Sequence, residues 1–223
     1  MEHRLKKIDE FNAEDRIDLK LLENSIHFIT GEIDEIGISA AIKWITYENL
    51  DSKEKVLTLY VNSTGGDLYQ AFALIDVMRS SQHTIRTIGI GAVMSAAFLI
   101  FASGDKGERY AAKNASFMCH QFTESMDNKY HDLKATMKEN DLCNDKMVDI
   151  LKSATGLAPS VIKKKLLPAS DVYLSAEEVI QLGVADHLVS QWLKMICSSL
   201  KDELLRYCLI PCSRLNLRAG KRC

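Results

Sequence analysis

Between Ser25 and Ser175 the hydrophobic period switches back and forth between strand and helix, and that alternation leaves few folds open. Ser25–Thr30 (SIHFIT) is a short β-rich run that stops at Gly31, and Ile38, Ala41, Ile42 and Ile45 then recur at helical spacing. Val56–Val61 is a continuous apolar, β-branched run, as a strand covered on both faces requires. Leu68, Phe72, Ile75 and Met78 form the next helical stripe, and Thr84–Ile90 is again strand-like. Met94–Ala102 is apolar almost all round and predicts a buried helix. Short strands are expected at Arg109–Ala112 and Ser116–Gln121, then a long helix over 129–154, striped by Tyr130, Leu133, Met137, Met147, Ile150 and Leu151 and ended by Gly156, with Pro159 in the first turn of another. Ser175-Ala-Glu-Glu178 reads as a capping box for a helix that ends near Gly183. Alternation of this kind predicts parallel βαβ units with right-handed crossovers, an α/β fold.

The chain is long enough for one large domain with an appendage, and 47% hydrophobic residues support a core. A formal net charge of -2 gives no reason to expect a nucleic-acid partner. No apolar stretch is long enough to span a membrane, and Met1–Asp9 is charged without an apolar core of its own, so no signal peptide is expected. Cys119, Cys143, Cys197, Cys208, Cys212 and Cys223 form no C-x-x-C pair and no zinc spacing. They read as free thiols of a cytoplasmic protein. After Val189 the character changes. Residues 190–223 carry Lys194, Lys201, Arg206, Arg214, Arg218, Lys221 and Arg222 against Asp202 and Glu203, with four of the cysteines. This basic tail reads as a loosely docked terminus, or as an amphipathic helix through Trp192, Ile196, Leu200 and Leu204 that meets a partner or membrane surface.

Three segments have the makings of one acyl-transfer site. Asn62-Ser-Thr-Gly-Gly66 follows the buried strand, where paired glycines let the backbone turn and present N–H groups to a developing oxyanion. Taken alone, it also fits an ordinary strand-to-helix turn. In Gly89-Ile-Gly-Ala-Val-Met-Ser95, a serine stands where a strand gives way to an apolar helix, the physical setting of a nucleophile elbow without the G-x-S-x-G pattern. A plain helix cap explains that serine equally well. Met118-Cys-His120-Gln supplies a base at a strand end, and Asp171 a carboxylate far downstream. With His3, His27, His83, His131 and His187 also present, residue type alone does not select His120.

Residues 17–189 resemble the proteolytic-subunit family of the ATP-dependent Clp protease (ClpP). The resemblance is carried in order by Phe28-Ile-Thr-Gly-Glu-Ile33, Tyr60-Val-Asn-Ser-Thr-Gly-Gly66, the Ser95 segment, Met118-Cys-His-Gln121, Asp171-Val-Tyr-Leu-Ser-Ala176 and Gly183-Val-Ala-Asp186. It implies a ClpP/crotonase-like fold of repeated ββα units with a protruding helix-strand handle. It implies Ser95 as nucleophile, His120 as general base, Asp171 as orienting acid, and the backbone N–H groups of Gly66 and Ala96 as oxyanion hole. No cofactor or metal is implied. Residues 1–16 would be an N-terminal segment like the family's axial loops, with the tail 190–223 outside the family pattern. Stacked heptameric rings forming a tetradecamer are implied, with a hexameric AAA+ unfoldase of ClpX, ClpA or ClpC type that feeds in unfolded polypeptides. Tyr60, Ile88, Ile90 and Tyr110 match the unfoldase-docking pocket, although core packing accounts for each as well.

The chain departs from the pattern at Thr64 (usually Pro), at Ser95-Ala-Ala (usually Ser-Met-Gly) and at Ser170 (often an Arg at the ring–ring interface). Phe122-Thr-Glu-Ser125 replaces a Gly-rich strand that pairs with substrate, and bulkier residues there narrow the groove. The active serine endopeptidase is weighed against a catalytically silent or regulatory ring subunit, a phage prohead-type protease, and a crotonase-like acyl-CoA enzyme. The intact Ser/His/Asp set argues against the silent subunit, and no feature suits a CoA nucleotide.

Overall fold

The computed structural model describes residues 12–50, 53–123 and 129–189, all within one compact unit that ends at Val189. The expectations for the charged N-terminus, for Glu124 and Ser125, and for the tail 190–223 lie outside the described residues.

The order of elements is α1 (Ala13–Glu23), β1 (Ile26–Ile33), α2 (Glu35–Glu48), β2 (Val56–Gly66), α3 (Leu68–Ser80), β3 (Thr84–Met94) and α4 (Ala96–Ala102). These are followed by β4 (Arg109–Ala112), β5 (Ser116–Cys119), α5 (Tyr130–Thr155), α6 (Pro159–Lys165), β6 (Val172–Leu174), α7 (Ala176–Gln181) and β7 (His187–Val189). The sheet runs β1-β2-β3-β4-β7, all parallel, while β5 pairs parallel with β3 and antiparallel with β6. A mixed α/β fold around a mostly parallel sheet is what the alternating periods predicted.

The strands outrun their sequence signals. β1 continues past Gly31, whose φ of +80° admits the irregularity between Thr30 and Glu32, and β2 stays extended through the Asn62–Gly66 stretch to pair with it. β3 runs on to Met94, so the buried helix starts at Ala96 rather than Met94. Every residue of α4 is at most 2% exposed, including Phe98, Leu99, Ile100 and Phe101. Burying each of those large side chains contributes about 1.5–3 kcal/mol, which anchors the start of α4 in the core. The capping box at Ser175 is formed as expected: Glu178 N–H donates to Ser175 Oγ and Ser175 N–H to the Glu178 carboxylate.

One irregularity positions the site. The β2–β3 register slips between Val61↔Gly89 and Ser63↔Val93, so β3 carries two extra residues. Before the slip β3 pairs with β4 (Thr87↔Arg109 to Gly89↔Ala111); after it, β3 pairs with β5 (Ala92↔Ser116 to Met94↔Met118). A bulge of this kind bends a strand and re-aims the residues beyond it. Here it steers the end of β3 onto the strand that leads into His120.

Candidate active site

Because β3 and β5 are parallel and Met94 stands opposite Met118, the residues that leave the two strands emerge side by side. Ser95 N–H donates to Met118 O at 2.9 Å, and His120 Nε2 lies 2.8 Å from Ser95 Oγ, although the two are 25 residues apart in sequence. With the imidazole proton on Nδ1, Nε2 accepts from the serine hydroxyl. Ser95 has φ 54°, one of two non-glycine residues with positive φ among those described. Such a conformation costs on the order of 1–3 kcal/mol and persists only where the surroundings impose it. The helix-cap reading of Ser95 fails: its side chain makes no capping bond to α4 and is turned to the histidine instead.

Gly65 makes room for this turn. A Cβ there would stand 2.6 Å from Ser95 Cβ and 2.9 Å from Met94 O, and its φ of +105° already disfavours any side chain. Gly66, at φ +147°, would drive a Cβ into the Ile33 carbonyl. Gly66 and Ala96 line the same cleft as Ser95 and His120, so both candidate oxyanion-hole residues border the candidate nucleophile. Thr64, which precedes the glycine pair, sits within extended β2.

Asp171 stands next to the end of the β5–β6 pairing but makes no hydrogen bond to His120. β5 and β6 pair antiparallel up to Cys119↔Val172, so His120 and Asp171 are the next residues beyond that last pair. The Asp171 side chain is exposed, and among the described residues no hydrogen bond joins it to His120. Cys119, beside His120, is fully buried, and burial pushes its thiol up to about 12. It stays protonated and is no competing nucleophile.

Three of the four docking-pocket candidates, Tyr60, Ile88 and Tyr110, fall on a row that crosses the sheet, and Ile90 lies two residues beyond Ile88 on β3. Phe28↔Tyr60, Tyr60↔Ile88, Ile88↔Tyr110 and Tyr110↔His187 are successive register pairs across β1, β2, β3, β4 and β7. Tyr60 and Ile88 are fully buried, whereas Ile90 and Tyr110 are half-buried. The Phe28 ring stacks on Tyr60 at 4.7 Å, and the Arg86 guanidinium lies over the Tyr110 ring. Burial pushes the Tyr60 hydroxyl up to about 12 despite the Arg86 charge.

The sequence pointed to Phe122 and Thr123 as narrowing the groove, but not to Leu68 and Met147, which complete the cleft. Leu68 and Met147, both buried, and half-buried Phe122 line it together with Gln121 and Thr123. Phe122 N–H donates to Asn144 Oδ1 at 3.1 Å, and Gln121 Nε2 to Leu167 O at 2.9 Å. The helical stripe of α5 signalled Met147 as core, but nothing in it signalled that Asn144 holds this edge.

Among the described residues no helix is long and apolar enough to cross a membrane. Residues 10–191 match the family model described as Clp protease. The chain is 27% identical over 172 residues to the ATP-dependent Clp protease proteolytic subunit of Deinococcus radiodurans, an alignment that covers 77% of this chain and 83% of the relative. A match over this span, which takes in the strands, the Ser95–His120 contact and the β6 segment alike, places the whole described unit in one lineage: the chain belongs to the Clp protease family.

Proposed function

We propose that this Clp-family peptidase subunit hydrolyses peptide bonds by a serine mechanism, as the proteolytic subunit of an ATP-dependent Clp protease. The observation that carries the reading is the 2.8 Å contact between Ser95 Oγ and His120 Nε2 at the end of paired parallel strands. His120 takes the hydroxyl proton as Ser95 Oγ attacks the scissile carbonyl carbon, and the backbone N–H groups of Gly66 and Ala96 bind the oxyanion. The imidazolium then returns its proton to the leaving amine, which leaves an acyl-serine. Water, deprotonated by His120, attacks that ester and releases the acid. Asp171 orients His120 through Nδ1, and rotation of its exposed side chain from the adjoining register position completes the set.

The relative's name supports an ATP-dependent assembly. In that assembly the subunits form stacked heptameric rings in the cytoplasm and receive unfolded chains from a hexameric AAA+ unfoldase. The unfoldase docks over the half-buried Ile90 and Tyr110, with Tyr60 and Ile88 as the floor beneath them. One observation favours a second reading, a ring subunit silent until a partner aligns it: among the described residues of the single chain, Asp171 makes no hydrogen bond to His120.

The test is fluorophosphonate labelling of the full chain and of Ser95→Ala, with assembly mass measured alongside by size exclusion. Labelling that is lost in Ser95→Ala is the expected result. An assembled ring that takes no label overturns the active reading in favour of the silent subunit.

A further inference from the structure

The cleft beside Ser95 is small, and the segment that makes it small is held in place. Its whole volume is about 60 Å³, including the space next to Ser95 and the backbone of Gly66 and Ala96. An apolar cavity of about 150 Å³ takes up a benzene ring. Leu68, 7% exposed, and Met147, 4% exposed, are both set in the core and close the bottom, while Phe122 forms a wall and exposed Thr123 the rim. Among the described residues that line it, none apart from His120 is acidic or basic.

The backbone that carries Phe122 is held in place. The Phe122 N–H is bonded to Asn144 Oδ1, and the Asn144 amide is oriented in turn by its Nδ2–H donating to Asn140 O at 2.9 Å. The preceding residue is tied by Gln121 Nε2 to Leu167 O. The Phe122 ring packs against the hydrophobic core. Moving the backbone to widen the cleft breaks these bonds, and turning the ring away takes it off the core.

From this geometry we infer that the subsite for the residue on the acyl side of the scissile bond accepts small uncharged side chains, alanine, serine or glycine, and that Phe122 sets this limit. The inference rests on the serine-peptidase reading of Ser95. A leucine or phenylalanine at that position meets Phe122 and Met147 before its carbonyl carbon reaches Ser95 Oγ, and overfilling a packed site is as unfavourable as leaving it empty.

The test uses the assembled full chain with two matched reagent series, fluorogenic peptides and peptidyl phosphonates, that differ only in alanine, serine, leucine or phenylalanine at this position. Simple fluorophosphonate labelling is run in parallel. Alanine and serine reagents are expected to react with kcat/KM or labelling rate at least about ten-fold above leucine and phenylalanine, the discrimination typical of a hydrophobic pocket. Phe122→Ala and the milder Phe122→Val are each expected to raise the leucine rate and narrow the ratio. A protein that takes the fluorophosphonate at Ser95 yet handles leucine or phenylalanine as well as alanine overturns the subsite inference alone. An unchanged ratio in a folded, labelled Phe122 variant removes Phe122 from the role. Absence of all labelling overturns the peptidase reading, and the subsite falls with it.

Discussion

At Gly65 the backbone already holds φ +105°, and the nearest heavy atom to an added Cβ would be the Cβ of Ser95 at 2.6 Å. The methyl of Gly65→Ala must therefore displace Ser95 from the place where its Oγ meets His120. The expected outcome is a chain that folds and assembles with fluorophosphonate labelling reduced at least about ten-fold, since a small misplacement at a reacting centre is costly. Circular dichroism and size exclusion separate this from misfolding. Asp171→Asn tests the neighbouring residue. If the carboxylate orients His120, kcat falls by roughly a hundredfold or more with KM little changed. An unchanged kcat removes Asp171 from the mechanism. At this scale the sequence named Ser95 and His120 only as one serine and one histidine among several. The resemblance selected them, and the strain at Ser95 and the clearance at Gly65 were invisible because both depend on a backbone path that no local pattern encodes.

Elements show the converse, because their signals are local. Ser175-Ala-Glu-Glu178 was legible as a capping box since both of its hydrogen bonds close within four residues, and α7 is too short to hold its first turn without them. Ser175→Ala is expected to lower stability by about 1 kcal/mol, which at this chain length lowers Tm by about 2–4 °C, checked by calorimetry. Apolar stripes likewise gave away α2, α3 and α5. The three-residue strands β6 and β7 were not legible, being too short for any period to register, and their pairing to β5 and β4 is supplied entirely by distant segments. The slip in β3 was hidden for the same reason. Gly89-Ile-Gly-Ala reads as a turn of small residues, and only the presence of both β4 and β5 along one edge makes it a change of partner.

Across the whole unit, Arg109 ties four regions together from an almost fully buried position. Its Nε and Nη2 donate to the Asp186 carboxylate at 2.9 and 2.7 Å, and Nη1 donates to Ala154 O at the end of α5 and, at 3.4 Å, to Ala102 O at the end of α4. Arg109→Ala leaves a carboxylate and two carbonyls short of a partner, so a loss of about 3–5 kcal/mol is expected in denaturant unfolding. Partial burial alone would raise the Asp186 carboxyl, but the Arg109 hydrogen bonds and charge outweigh it and hold the carboxyl below its ordinary 3.8. A depressed folded value means that the stabilisation is fully present above the unfolded value and lost as pH falls through the folded one. The native chain is therefore expected to lose stability as pH drops below 3.8, and Asp186→Asn to flatten that part of the curve. A curve unchanged by Asp186→Asn refutes this linkage. The α/β class, the helix faces and the caps could all be read along the chain, because period, burial and capping are properties of neighbouring residues. That a serine and a histidine 25 residues apart touch, that β6 brings Val172, next to Asp171, opposite Cys119, and that Asn144 holds the backbone of Phe122 came only with the folded chain. Each of those depends on how separate strands and helices are registered against one another, and that is set by packing over the whole core.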